Sequence, residues 1–480
     1  MNENKTIKIY PNSVNTYEEF SVFLAKIDGE DFILADKECG FTGEAYLYEG
    51  KNLIKAALDH ENASVLRKIL PFTAPSPILH NTCTFGMGDR LGNATPGHIQ
   101  ALSYYKNIVP VFAQQSMREL RFTGRTYQEV LDRVTFSVFK CGYKRGFGAD
   151  GDHLKTKQEV QDALDCGYTM ITLDCSEHIN NDIYSLDDSQ VDEIYIPDEE
   201  LEKIYLGNRV NLGDGLTLNY EPAELKRMCL IYNKAIEFAQ SIFDDFFKKE
   251  KSADFEISID ETTFPTTPNQ HFFVANELVR RGVRFSSMAP HYCGDFQKGI
   301  DYIGDIDQFE AEFRVHAQIA EHFGYKISVH SGSDKFSVFP IVSRLTKGKF
   351  HLKTAGTSWV EAMKCIATLD PDLFREIYKY AQSVFDAATE YYHVTTNKAN
   401  IPDIIGVSNG DLPGLFDNND VRQLIHITYG FILNLKDEEN GYVFKDKLFR
   451  LWDENEDIYL DFLSKHFEKH FMYLNRGHEL

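Results

Sequence analysis

Between residues 78 and 358 the chain alternates short apolar, strand-like runs with amphipathic helical stretches, and that order leaves few folds open. The runs are 78–86, 108–115, 143–150, 168–175, 254–261, 283–290, 325–331 and 348–354. Stretches such as "TKQEVQDALDCG" and "DQFEAEFRVHAQIAEHFG" lie between them, each closing on a glycine, a common helix stop. A repeating strand–helix order implies parallel strands joined by right-handed crossovers. Eight such units predict an α/β protein with a closed (β/α)8 TIM-like barrel. An open doubly wound sheet is the competing fold, but no GxGxxG follows the first strand to support its dinucleotide-binding form.

The flanks read differently. Residues 1–75 are expected to form a small N-terminal β-rich extension, because "FSVFLAKIDGEDFILADKE" mixes β-prone runs with Asp-Gly breakers typical of hairpins. The three prolines of "PFTAPSP" mark a junction. The barrel is then expected over 76–358. An acidic, weakly apolar insertion at 177–222 interrupts it as a flap or packing arm beside the mouth, and a long helix follows. Residues 359–480 read as a helical C-terminal region, suited to cover the barrel or to make a subunit contact in a homo-oligomer.

Charge and cysteine usage exclude several classes. The net charge is −23, from 50 basic and 73 acidic side chains, a surface that repels phosphate backbones and argues against a nucleic-acid partner. No window carries the ~18 uninterrupted apolar residues of a membrane span, and the amino terminus lacks a signal-peptide core. Eight scattered cysteines without a CxxC pair fit a reduced, cytoplasmic protein.

A parallel barrel brings the carboxyl ends of its strands to one face, which carries the chemistry. His153, Asp260 with Glu261, His291 and His330 each stand just past one of the runs. Three imidazoles there could share a divalent cation (Mn, Co, Ni, Zn or Fe), although no HExxH motif supports it and each histidine alone could be an ordinary hydrogen-bonded core residue. Asp150 and Asp152 adjoin His153 in "GADGDH". A carboxylate in a water-poor mouth rises in pKa toward the range of a general acid or base. Because strand side chains alternate, one of Asp260 and Glu261 is expected to face the lumen. The competing roles are ligation or capping, with Asp152 placed to cap the helix that follows. "FGMGDRLGNATPGH" and "HSGSDK" offer backbone donors with Arg90 and Lys335 as counter-charges for a carboxylate or polyol. Asp260 and, in "LKTAGTSW", Lys353 and Thr354 are further substrate-binding candidates, a lysine Schiff base at Lys353 being the alternative. Cys293, close to His291, is either a site-lining thiol or a packed small residue.

At these residues the chain resembles the tagaturonate epimerase family. The blocks that carry the likeness are "FGMGDRLGNATPGHI", "GFGADGDHLKT", "SIDETTFPTTPNQHFFVANEL", "MAPHYCGDFQKGIDYIGD", "VHSGSDKFSVFP" and "FHLKTAGTSWVEA". They span about residues 78–365 strongly and the flanks loosely. The resemblance implies a metal-dependent barrel enzyme of hexuronate catabolism that interconverts D-tagaturonate and D-fructuronate, a ketohexuronate being its small-molecule substrate. It implies metal ligands at His153, His291 and His330. The proton acceptor would be Asp150 or Asp152, with Asp152 preferred because it adjoins a ligand, and the donor would be Glu261. A carboxylate acid/base pair would act with a metal-stabilised enediolate. The rival readings are a metal-dependent hydrolase or aldolase acting on a sugar acid, and a non-catalytic sugar-acid binder. No motif accounts for residues 1–75.

Overall fold

The computed structural model describes residues 7–213, 215–249 and 253–477. Eight parallel strands close into a barrel in chain order: β1 (Cys83–Met87), β2 (Ile108–Ser116), β3 (Gly148–Leu154), β4 (Met170–Asp174), β5 (Asp254–Ile259), β6 (Ser287–Pro290), β7 (Lys326–Val329) and β8 (Phe350–Thr354). β8 pairs with β1 from Phe350↔Cys83 to Thr354↔Met87, which seals the ring. Each strand overlaps one of the eight runs expected from sequence, and the open sheet is excluded. β3 starts later than its run, because residues 143–147 form the loop that follows the helix Tyr127–Cys141 and its left-handed cap at Gly142.

Side-chain chemistry explains where the outer helices begin. Thr126, Thr156 and Thr267 each form a capping box, with Glu129, Glu159 and Gln270 three residues on. Each box satisfies two backbone N–H groups that the helix start leaves unpaired. Thr156, not Asp152, therefore caps the helix Lys157–Asp165, and Asp152 stays within β3.

The N-terminal extension is an antiparallel six-stranded sheet. Its strands Phe20–Ile27 and Glu30–Ala35 turn on Asp28–Gly29, both with positive φ (52° and 92°). That pair of left-handed residues is what a two-residue hairpin requires, and it makes Asp-Gly a hairpin signal. Val22, Leu24 and Ile33 pack with Leu66 and with Phe136 and Phe139 of the helix Tyr127–Cys141, so the sheet is fixed to the barrel's outer layer. The insertion is a packing arm: buried Tyr205 donates to Glu277 Oε1 (2.7 Å) on the helix Pro268–Arg280.

The C-terminal region is helical around Trp359, Tyr378 and Trp452. Its last helix, Glu456–Asn475, drives Phe467 and Phe471 into the barrel's own core, Phe471 edge-on to Phe85 at 5.2 Å. Each such ring contributes about 1.5–3 kcal/mol of burial. Among the described residues no helix is long and apolar enough to cross a membrane.

The bottom of the barrel is stoppered. Ile78 and Leu79 pack with Val111 and Met170 inside the ring. Both of their backbone N–H groups donate to Asp254 Oδ2, at 2.7 Å each. Asp254→Ala removes both acceptor bonds, and with charged acceptors at about 1.5–3 kcal/mol each it should lower the thermal midpoint by several degrees. Asp254→Asn should recover part of that loss in the same melting experiment.

Candidate active site

The barrel interior is polar, and strand alternation puts it there. In β5, Phe255, Ile257 and Ile259 join the apolar cluster that includes the surrounding helices, while buried Glu256 and Ser258 take the opposite face, followed by Asp260. Glu256 Oε2 accepts from Ser287 Oγ on β6, and Oε1 accepts from Thr172 Oγ1 on β4 at 3.1 Å. Lys353 from β8 reaches into this layer. Its ammonium lies 2.7 Å from Asp150 Oδ2, contacts Asp152 Oδ1, and stands 3.4 Å from Glu256 and 2.6 Å from Thr172 Oγ1.

A bulge builds the mouth above that layer. β3 and β4 pair as Met170↔Asp150 and Ile171↔Gly151, then as Leu173↔Leu154, so β3 carries one extra residue. The irregularity coincides with His153, whose φ is +57°. A left-handed conformation at a non-glycine residue costs about 1–3 kcal/mol and is found where function demands it. A bulge re-aims side chains, and here two consecutive residues, Asp152 and His153, both line the pocket instead of facing opposite ways.

His153, Asp260 and His330 then converge, their ligating atoms within 4.8 Å of one another. Asp260 Oδ2 is 3.1 Å from His330 Nδ1, and Oδ1 is 3.7 Å from His153 Nε2. The far nitrogen of each ring is held by a buried carboxylate: His153 Nδ1 by Asp152 at 2.8 Å, and His330 Nε2 by Glu256 at 2.7 Å. A carboxylate behind an imidazole fixes its tautomer and aims the opposite lone pair, a recurring support for metal-binding histidines.

The electrostatics follow. Burial alone would raise Asp152, but Lys353 and His153 hold it well below the usual carboxylate range. Burial likewise opposes ionisation of Glu256 and Asp260, and Lys353 with His330 for the first, and His330 with His153 for the second, hold both well below it. Asp150, fully buried, is pushed up by burial to about 6 despite Lys353. Against burial, neighbouring carboxylates raise His153 and His330, and Asp150, Asp152 and Glu256 raise Lys353. Lys353 is therefore a cation and not a free amine, which argues against a Schiff base. Four carboxylates face one cation, Lys353, which leaves three negative charges for two imidazoles, and these offset two of them only by taking up protons.

These groups open onto a cavity of about 830 Å³. Asp152, His153, Asp260, Glu261, His291, His330, Lys353 and Arg90 all line it. Among the described residues His291 Nε2 has no hydrogen-bond partner, while Nδ1 meets Thr262 Oγ1 at 3.1 Å. Glu261 is half exposed, 3.9 Å from Lys155 Nζ. Both Asp260 and Glu261 reach the pocket because the strand ends at Ile259 and alternation stops. Arg90 is buried and paired with Glu119 (2.9 Å) over the Tyr429 ring. Other expected residues lie outside the lining. Asp150 sits a layer below, and Thr354 Oγ1 donates to the Gly86 carbonyl. Lys335 Nζ donates to the carbonyls of Gln297, Ile300 and Ser333. Cys293 is buried and packs beside Tyr302.

Sequence reading missed Glu256, although its two-residue alternation with Asp260 was the available signal. It also missed Tyr391, Tyr392 and His393 of the C-terminal region, which wall the pocket where the insertion does not. Asp334, His466 and His470 form another His/Asp group. There, His470 Nε2 accepts the Asp334 N–H at 3.0 Å, and Arg422 pairs with Asp334 at 3.0 Å. That group is a clasp between the last helix and the loop after β7.

The chain matches the family model described as tagaturonate epimerase over residues 10–474. It is 40% identical over 471 residues to a tagaturonate/fructuronate epimerase of Thermotoga maritima, covering 96% of each chain. It superimposes on crystal structures of a fructuronate-tagaturonate epimerase from Cohnella laeviribosi, native and glycerol-complexed, with TM-score 0.94 and 44% identity. Those alignments cover 98% of this chain and 96–97% of those.

Lys353→Met leaves the carboxylates beneath the mouth without their cation. Breaking a buried ion pair from one side costs about 3–5 kcal/mol, so the variant should melt well below the parent. Adding Asp150→Asn should return part of the loss, read by differential scanning calorimetry.

Proposed function

The chain belongs to the tagaturonate epimerase family and is a carbohydrate epimerase, and on that premise we propose that it interconverts D-tagaturonate and D-fructuronate using a divalent cation. The observation that carries the metal is the pair of imidazoles, each backed by a buried carboxylate, meeting at Asp260 in a mouth with surplus negative charge. His153, Asp260 and His330 would hold the ion, with His291 from the same pocket. Imidazole with carboxylate suits Mn, Fe, Co, Ni or Zn. When bound, the cation supplies Lewis-acid stabilisation of negative charge on the substrate's ketone oxygen.

The two ketouronates differ at C4, one bond too far from the C2 ketone for its hydrogen to be acidified directly. In the route we favour, a carboxylate takes the C4 hydroxyl proton while the C3–C4 bond opens to an aldehyde and an enediolate. The aldehyde turns over, the bond re-forms on its other face, and the proton returns to the new hydroxyl. Asp152 and Glu261 both line the pocket, whereas Asp150 lies outside its lining, against Lys353 and Thr172. Asp152 is ionised and accepts as a weak base, because Lys353 and His153 hold it well below the usual carboxylate range. Glu261, half exposed beside Lys155 in the same pocket, is the carboxylate we assign to proton donation. In the competing route the ketone migrates to C3 and the C4 hydrogen itself is removed.

Chelation should abolish tagaturonate turnover and added divalent metal should restore it. A chelator-resistant rate would refute the metal, and no turnover after metal return would refute the epimerase. His330→Ala should lose bound metal and activity together, by elemental analysis and rate. Glu261→Gln should keep metal and fold while kcat falls by about 10²–10⁴. Deuterium at C4 should survive turnover; its appearance in solvent would favour ketone migration.

A further inference from the structure

The cations around the pocket are mostly engaged. Lys353 is enclosed by three carboxylates. Lys155 serves Asp174, Glu177 and Glu261, and Arg90 is tied to Glu119. Lys298 differs. Among the described residues no carboxylate lies within 4 Å of its ammonium, whose hydrogen bond goes to Ser331 Oγ at 3.2 Å. An ammonium has three donors, so two face a half-buried site where water is scarce. That loss of water lowers its pKa, and Arg90 and Arg118 act in the same direction against Glu119 and Glu261.

The backbone that presents Lys298 is fixed from behind. Lys335 gathers the carbonyls of Gln297 and Ile300 at 2.7 and 2.6 Å, and Arg422 Nε holds the Gly299 carbonyl at 2.7 Å. Gln297 Oε1 accepts from Gln423 and from the Thr395 N–H. A side chain whose support is this determined is preorganised for binding. Its tether, Ser331, follows His330 directly, so one small molecule can touch both that histidine and the Lys298 ammonium. Arg118 lines the same wall, with Nη1 on the Tyr391 carbonyl (3.2 Å) and, among the described residues, no carboxylate partner.

We propose that Lys298, with Arg118 beside it, receives the substrate's carboxylate, and that this contact selects acid sugars over their neutral counterparts. The inference rests on the epimerase reading, because it takes the ligand to be a ketohexuronate with its ketone end at the His153–Asp260–His330 group. An uncompensated ammonium and a carboxylate would each supply what the other lacks, and one contact would fix which end of the sugar faces the acid/base pair.

The test uses the metal-loaded enzyme with D-tagaturonate and D-tagatose, which differ in carboxylate against hydroxymethyl. Lys298→Met should bind tagaturonate about 30-fold or more weakly by calorimetric titration, the scale for losing one partner of a desolvated charge pair. Its tagatose affinity and bound metal should match the parent. Lys298→Arg should recover much of the loss and serves as the second variant should Lys298→Met fold poorly. Equal tagaturonate binding by parent and Lys298→Met would overturn the inference, as would parallel losses for both sugars. Absence of tagaturonate turnover by the parent would instead overturn the epimerase reading, since the binding comparison does not require turnover.

Discussion

Charge balance inside the barrel governs this structure. Asp150, Asp152 and Glu256 can be buried together only because Lys353 stands between them, and an unpaired carboxylate at that depth would be protonated or would unfold its surroundings. With Lys353 in place, Asp152 and Glu256 stay ionised and can each grip an imidazole from below. Those grips aim His153 and His330 at Asp260. The arrangement of the mouth is thus the upper consequence of the ion cluster around Lys353, of which Asp150 and Glu256 lie outside the pocket lining.

The outer regions contribute to the same end. The last helix fills the barrel wall with Phe467 and Phe471, and its His466 and His470 clasp Asp334 in the loop that follows His330. Residues 391–393 wall the cavity. The helical region is therefore part of the site as well as its cover, and the proximity of the family's solved relatives extends over this region too.

The strand–helix order was legible because apolar alternation records which side of a strand meets the helices. The histidines and acids at strand ends were legible because a parallel barrel gathers those ends. Glu256 was not read, since an acid inside a strand looks like an exposed residue until the barrel encloses it. Its place in "HSGSDK" makes Lys335 a candidate ligand for substrate, yet its ammonium binds three carbonyls. A lysine's position in sequence does not disclose whether backbone oxygens will surround it. Arg90 was read as a free counter-charge, and its partner Glu119 lies in a helix that no local pattern connects to it.

The bulge at His153 has a consequence for how such a site can change. Because one surplus residue lets neighbours share a wall, losing a single position from "GADGDH" would do more than shorten a loop. Regular pleating would return, and either the acid or the imidazole would swing toward the surrounding helices. The pocket's chemistry is thereby tied to chain length at one point, so insertions and deletions there act on ligand identity as strongly as substitutions do.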